Sequence, residues 1–335
     1  MAILVTGGAG YIGSHMAHAL VERGEEVVVL DNLATGVEWT VPHAATFIHG
    51  DIADQALVGA LIRDKSIAEI IHFAGSVVVP DSVADPLGYY FNNTVKSRDL
   101  LEAAIKGGVR RFIFSSTAAV YGQPGQVPVF EDAALQPISP YGRSKLMTEW
   151  MLRDTAAATG LAYVALRYFN VAGADPKGRT GQSTPRATHL IKVACETAVG
   201  LRPHLDIFGR DYPTADGTCI RDYIHVSDLV AAHETALVHL RGGGDSGIFN
   251  CGYGRGHSVL DVIAAVERTT GRPLPVRDAP PRPGDPPAIV AGAERARRAL
   301  GWSPRYDDLD FIVASALEWE RRLRRRNAAD QGVNG

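Results

Sequence analysis

Tyr141 and Lys145 stand four residues apart in a stretch of helical periodicity, Ser139–Ala158, so both side chains face the same way. An ammonium beside a phenol favours the phenolate, which makes the pair a candidate general base near neutral pH. Taken alone, Y-x-x-x-K also occurs as an ordinary surface pair on a helix. Upstream, an apolar run ends in Ser115-Ser116-Thr117. A hydroxyl at the carboxyl end of a strand can bond to a substrate oxygen and relay its proton to Tyr141. Thr117, Tyr141 and Lys145 are therefore the catalytic candidates.

A second constellation opens the chain. Gly7-Gly8-Ala9-Gly10-Tyr11-Ile12-Gly13 follows a short apolar strand and begins a helix. Gly7 permits a sharp turn, Gly10 lets backbone approach a pyrophosphate, and Gly13 lets the helix pack on the sheet. The first helical turn offers free N–H groups and a positive dipole end to phosphates. The strand–loop–helix context makes this a dinucleotide fingerprint rather than a bare glycine pattern. Asp31 ends the second strand, where a carboxylate accepts hydrogen bonds from ribose hydroxyls and repels a 2′-phosphate. Between Asp31 and Arg63 there is no Lys or Arg to neutralise such a phosphate, so NAD is expected over NADP. Alone, Asp31 also fits a turn or helix-cap aspartate. Gly50-Asp51-Ile52 is expected near the adenine, and His72-Phe73-Ala74-Gly75 is expected to let backbone approach the cofactor, since Ala and Gly are small. The positive nicotinamide adds to Lys145 in favouring the Tyr141 phenolate.

These residues need elements to hold them. Strands are expected at Ile3–Thr6, Glu26–Leu30, Thr46–His49, Glu69–Phe73, Arg111–Ser115 and Ala162–Arg167. Helices are expected at Tyr11–Arg23, Asp54–Lys65, Leu87–Lys106 and Ser139–Ala158. Near-continuous apolar strands separated by helices imply a Rossmann-type α/β fold, a doubly wound parallel sheet. After Arg167 the rhythm breaks into Gly, Pro and polar residues. Helices are expected there at His189–Leu201, Val226–Leu240 and Ser258–Thr270, and the proline-rich 273–287 suits neither a helix nor a central strand. The division expected is 1–167 for the cofactor and the Tyr/Lys helix. A smaller mixed α/β lobe, 168–335, would mainly bind substrate, which would sit between the two.

Composition excludes several classes. The chain is 46% hydrophobic and 21% charged, with a formal net charge of -3, so no nucleic-acid partner is implied. Cys195, Cys219 and Cys251 form no C-x-x-C pair, and neither a metal site nor a disulfide framework is expected. The first residues begin a strand rather than a signal peptide, and no apolar run is long enough for a membrane span. A cytoplasmic enzyme fits. The arginines of 321–326 read as a solvated helix end, with an anionic docking patch as the alternative.

Together the motifs resemble the extended short-chain dehydrogenase/reductase family and, within it, the 4-epimerases of UDP-glucose. The likeness rests on Val5–His15, Asp31-Asn32-Leu33, His72–Gly75, Phe112–Ser116, Ser139–Lys145 and Leu166-Arg167-Tyr168-Phe169-Asn170. Beyond these it rests on Ile207–Thr214, Arg221–Val226 and Arg282–Asp285, and it spans the chain to about Trp319. The resemblance implies that Gly7, Gly10, Tyr11, Ile12, Gly13, Asp31 and Asn32 hold bound NAD. It adds Asp51, Ile52, Phe73, Ala74, Gly75, Asn92, Ser115, Tyr141, Lys145 and Tyr168 to that set. Thr117, Tyr141, Asn170, His189, Phe208, Arg221, Arg282, Asp285 and Ile289 would meet a UDP-sugar. Asn170, Arg221 and Arg282 would face its pyrophosphate, Phe208 the uracil and Asp285 the uridine ribose. A homodimer built from two long helices per subunit is also implied, with Leu87–Lys106 and Ser139–Ala158 as candidates.

Four positions depart from the family pattern. Thr117 stands where many members carry serine, Val77 where some carry a lysine, and His189 where some use asparagine. Ile289 occupies the position that gates sugar size, which leaves UDP-N-acetylhexosamines and UDP-xylose/UDP-arabinose open as substrates beside UDP-galactose and UDP-glucose. A dehydratase would place an acid after the strand-five hydroxyl, and Ala118-Ala119 has none. A non-catalytic NAD-binding protein would need none of Thr117, Tyr141 and Lys145.

Overall fold

The computed structural model describes residues 1–185, 187–282 and 284–333. Pro283, quoted above within the Arg282–Asp285 motif, and the final two residues of the expected second lobe lie outside them. In chain order the first half runs β1 (Ile3–Thr6), α1 (Tyr11–Glu22), β2 (Val27–Asp31), β3 (Thr46–His49), α2 (Gln55–Asp64) and β4 (Glu69–His72). There follow α3 (Val79–Ala84), α4 (Pro86–Tyr90), α5 (Lys96–Lys106), β5 (Arg111–Ser115), α6 (Pro140–Thr159) and β6 (Ala162–Tyr168). The second half runs β7 (Asn170–Ala172), α7 (Leu190–Ala198), β8 (Leu205–Phe208), β9 (Ile220–Arg221), β10 (Tyr223–His225), α8 (Val226–Arg241) and β11 (Gly247–Cys251). It ends with β12 (His257–Ser258), α9 (Val259–Thr270), β13 (Val276–Ala279), β14 (Ala288–Ile289), α10 (Glu294–Leu300) and α11 (Leu309–Val333).

Seven parallel strands form the main sheet in the order β11-β6-β5-β4-β1-β2-β3, a Rossmann-type doubly wound arrangement. Side-chain alternation divides the core by face. Leu4, Val28, Leu30, Ile70, Phe112 and Phe114 face one side, where α2 and α5 pack. Ile3, Val5, Val27, Val29, Ile71, Ile113 and Val164 face the other, and that core runs on without a break to Leu317 of α11. Strand order reverses between β1 and β4, so the crevice at their carboxyl ends is where such a sheet binds ligands.

Two expected elements differ. Leu87–Lys106 is helical throughout, as expected, but it contains a π-helical turn at Phe91–Val95 between α4 and α5. The Ser97 and Thr148 hydroxyls both donate to the Asn93 carbonyl, at 2.6 and 3.2 Å. Side-chain donors at that carbonyl accompany the widened turn. The main sheet also crosses the expected 167/168 division, because its edge strand β11 comes from beyond it. The prolines of 273–287 behave as expected: β13 fits between Pro275 and Pro280 and pairs only with β8, in a two-stranded sheet. In the arginine tail, Arg322 donates to the Gly178 carbonyl at 3.2 Å and Arg324 to that of Val199, so these two dock on the protein itself.

Candidate functional site

The crevice begins at the glycine loop. Gly7 has φ +69°, and a Cβ there would stand 2.5 Å from the Ala74 nitrogen. The turn after β4 therefore lies directly against the turn after β1. A Cβ on Gly13 would stand 2.2 Å from the Gly7 carbonyl oxygen, so the close packing expected of Gly13 is against the loop itself. Gly10 caps α1 with no side-chain hydrogen bond. The N–H groups of Tyr11, Ile12 and Gly13 thus have no partner within the helix and suit an anion. The Tyr11 phenol donates to the Gly173 carbonyl at 2.6 Å, tying α1 to the chain after β7.

Asp31 is buried at the tip of β2. Its Oδ2 accepts from Ala9 N at 2.9 Å and its Oδ1 from Leu33 N at 2.8 Å. The carboxylate thus braces the glycine loop, and each oxygen keeps a lone pair for a ribose hydroxyl. Asn32 donates to Asp51 at 3.2 Å, and the Lys96 ammonium meets the same Asp51 oxygen at 2.5 Å. Burial raises the Asp51 carboxyl, but hydrogen bonds from Lys96, Ala53 N–H and Asn32 outweigh it and hold the group below the usual carboxylate range. Lys96 escaped the sequence reading, since only the fold carries it from α5 to the tip of β3. A glycine turn without room for side chains, an unpartnered helix start and a carboxylate at the β2 tip fit a dinucleotide.

Ser139 caps α6, accepting from Gly142 N at 3.2 Å, and Pro140 occupies the first turn. Tyr141 and Lys145 follow on the buried face of α6. The Thr117 hydroxyl lies close enough to the Tyr141 phenol to favour its charged form. The Lys145 ammonium lies 4.5 Å from the Phe114 ring centroid. A Cβ on Gly75 would stand 3.9 Å from that nitrogen and 3.0 Å from Asn93 Oδ1. The three catalytic candidates therefore gather beside the β4–α3 turn.

Both members of the Tyr141–Lys145 pair are desolvated. Burial lifts the Tyr141 phenol well above its ordinary value; Tyr168 and Tyr89 add to the rise and the Thr117 hydroxyl opposes it. Burial also draws Lys145 down to about 7, against the attraction of Glu149. In a desolvated cluster both neutral forms gain, so Lys145 alone does not make Tyr141 acidic, and a further cation is required.

Ser115 Oγ donates to the Tyr168 hydroxyl at 2.9 Å, so these two cofactor candidates adjoin each other. Asn92 donates to Ser76 Oγ at 2.9 Å. Its neighbour Asn93, missed in the sequence, is fully engaged: Oδ1 accepts from Ser76 N at 2.7 Å, and Nδ2 donates to Ser76 O and Ser144 Oγ. Ile52 is buried with Leu30 and Val58, and Phe73 packs on His233 with ring centroids 4.8 Å apart.

The expected substrate residues fall into two groups. Asn170 and exposed His189 line one cavity with Tyr11, Gly173 and Gln182. Phe208, Arg221, Arg282, Asp285 and Ile289 form the other. There Arg221 donates to the Ile220 and Pro286 carbonyls, each at 2.8 Å, and lies 3.5 Å from the Asp285 carboxylate. The Arg282 guanidinium sits 3.9 Å from the Phe208 ring centroid. Ile289 pairs with Arg221 between β14 and β9 and is buried in the core. A Cβ on Gly284 would lie 3.5 Å from Ile138, so this segment reaches the residues just ahead of α6. Among the described residues no group of His, Cys, Asp and Glu could hold a metal ion.

The model of the NAD dependent epimerase/dehydratase family matches residues 3–252. The chain belongs to that family. Within this epimerase/dehydratase family, a UDP-glucose 4-epimerase of Azospirillum brasilense is 59% identical over 321 residues, covering 96% of this chain and 92% of the relative. The structure of UDP-glucose 4-epimerase from Brucella ovis in complex with NAD has a TM-score of 0.92 and 45% identity, covering 95% of this chain and 97% of that one. The UDP-Glc/GlcNAc 4-epimerase of Campylobacter jejuni has a TM-score of 0.84 and 46% identity, covering 96% and 99%. As a member of this NAD dependent family, the chain has NAD as its cofactor.

Proposed function

We propose that the protein is a UDP-glucose 4-epimerase, interconverting UDP-galactose and UDP-glucose through a transient 4-keto sugar. The observation that carries this reading is the Tyr141 phenol against the Thr117 hydroxyl, buried beside the Lys145 ammonium and the Gly75 turn. When bound, NAD supplies reversible two-electron oxidation of the sugar carbon and a positive charge that favours the Tyr141 phenolate. The glycine loop, the α1 N-terminus, Asp31, Asn32, Asp51 and Ile52 would hold its phosphates and adenosine. Phe73–Gly75, Asn92, Ser115, Lys145 and Tyr168 would hold its reactive end. Thr117 would orient the sugar 4-hydroxyl, and Tyr141 would take its proton and return it after the sugar turns. Asn170, His189, Arg221 and Arg282 would grip the pyrophosphate throughout that turn, while Phe208 and Asp285 fix the uridine.

Purified protein incubated with UDP-galactose, UDP-N-acetylgalactosamine and UDP-xylose, with products separated, tests the reading. UDP-glucose from UDP-galactose is expected. Absence of that product from NAD-loaded protein overturns it, and 4-epimers from the other two sugars would show that Ile289 admits them. A homodimer in the cytoplasm belongs to the same proposal. Leu87, Phe91 and Val95 are exposed at successive turns from α4 into α5, with Trp150 exposed on the adjoining α6. The three buried free thiols suit a reducing compartment.

A further inference from the structure

A buried ion pair lies directly behind the proton-handling cluster. Glu149 and Arg167 meet in a two-pronged bond, with Arg167 Nε 2.9 Å from Oε1 and the second guanidinium nitrogen 2.6 Å from Oε2. Their side chains are 1% and 2% exposed. Glu149 Oε1 also accepts from Ser116 Oγ at 2.5 Å. Arg167 in turn donates to the Tyr121 hydroxyl at 3.0 Å, and Tyr121 donates to Asn250 at 2.7 Å. Such a pair is weak evidence for a stabilising role, since replacing a buried ion pair with apolar residues of similar volume is often neutral or stabilising.

The placement of the three central residues is informative. Ser116 precedes Thr117, whose hydroxyl neighbours the Tyr141 phenol. Arg167 precedes Tyr168, which bonds Ser115. Glu149 follows Lys145 by one turn on the buried face of α6. Each of these three is thus a chain neighbour, or one turn away, of a residue in the reacting cluster. One carboxylate joins all three elements: α6 through its own backbone, the end of β5 through Ser116, and β6 through Arg167.

We propose that Glu149 is a positioning residue for the epimerase chemistry, locking α6 against β5 and β6 and setting a negative charge one turn from the Lys145 ammonium. This rests on the assignment of Tyr141 as the proton-handling group. Around Lys145 stand His72 of β4, the Phe114 ring of β5, the Asn93 amide and Glu149. His72 is held neutral by burial, at about 3. Glu149 itself faces Ser116, Arg167, Lys145 and Tyr163. It is therefore the carboxylate in this surround. Its removal leaves Lys145 facing an uncompensated guanidinium, and Lys145 then loses its proton at lower pH.

The test compares Glu149→Gln, Ser116→Ala and Tyr141→Phe with the parent, all with NAD bound, measuring kcat, KM, the pH profile of kcat, bound NAD and thermal midpoint. Glu149→Gln is expected to lower kcat by about tenfold or more with KM for UDP-galactose within about twofold. It is also expected to move the alkaline limb of the profile to lower pH. Ser116→Ala keeps the charge, so it is expected to lower kcat by roughly threefold and leave that limb in place. A Glu149→Gln protein with kcat and limb unchanged overturns the proposal. So does one whose kcat falls only in proportion to lost NAD and lost folding. Should Glu149→Gln not fold, an unchanged kcat in Ser116→Ala overturns it instead. Tyr141→Phe separates the two readings. If it stays active, the assignment of Tyr141 fails; if it is inactive while Glu149→Gln is unimpaired, only the role of Glu149 fails.

Discussion

Burial holds the proton on Tyr141 and strips it from Lys145 at about 7, so the pair is poised for the charge that a bound nicotinamide brings. Tyr141→Phe should keep NAD and lose roughly two to four orders of magnitude in turnover, the usual worth of a positioned general base. Product assay and the NAD content of the purified variant check this. Lys145 makes a separate prediction about stability. Its folded pKa lies below the ordinary lysine value of 10.5, so the unfolded chain binds more protons between these two values, and stability rises with pH through that window. Lys145→Met should therefore melt above the parent at pH 6, at matched NAD content, with the gap closing as pH climbs from about 7 towards 10.5. A constant gap would mean that Lys145 is not desolvated. The residue types of this cluster were legible because chemistry restricts them. Glu149, Asn93 and Lys96 were not, because their roles arise from contacts between elements far apart in sequence. Glu149 did leave a trace: Tyr141, Lys145 and Glu149 recur every four residues, and a carboxylate on so apolar a face needs a buried partner.

At the scale of the element, the glycine loop joins local geometry to cofactor affinity. A side chain at position 13 would meet the Gly7 carbonyl at 2.2 Å, backbone that cannot yield cheaply. Gly13→Val should lower the thermal midpoint and yield protein without NAD, checked by melting and by absorbance after purification. Asp31→Ala removes the acceptor for Ala9 N and Leu33 N. It should weaken NAD far more than UDP, and isothermal titration with each ligand distinguishes the two. The sheet strands and the helices α1, α2 and α6 were legible from periodicity and capping residues. The π-helical turn between α4 and α5 was not, since Thr148 of α6 reaches across to the Asn93 carbonyl. Strand β11 was also hidden. Its five residues show no alternation that distinguishes a sheet edge from a loop, and the open backbone of β6 decides where it pairs.

For the whole molecule, the continuous core from the main sheet to α11 means that the two halves share most of their stabilising burial. They should melt in one transition rather than two, which calorimetry checks. The exposed stripe of Leu87, Phe91 and Val95 belongs to the proposed subunit contact. Leu87→Glu combined with Phe91→Glu should halve the mass measured by sedimentation, and an unchanged mass would place the contact elsewhere. The overall class was readable because a buried parallel sheet needs long apolar runs. The 167/168 division was drawn where that rhythm stops, and the sheet ignores it. The late origin of β11 has a consequence for synthesis. Strands β1 to β6 leave the ribosome first, and β6 waits with an unpaired edge until Cys251 follows it out. During that interval the seven residues of β6 lie open as a template for any passing strand, whereas the finished sheet ends on the five-residue β11, so chaperone demand should peak between those two lengths and fall once β11 has emerged.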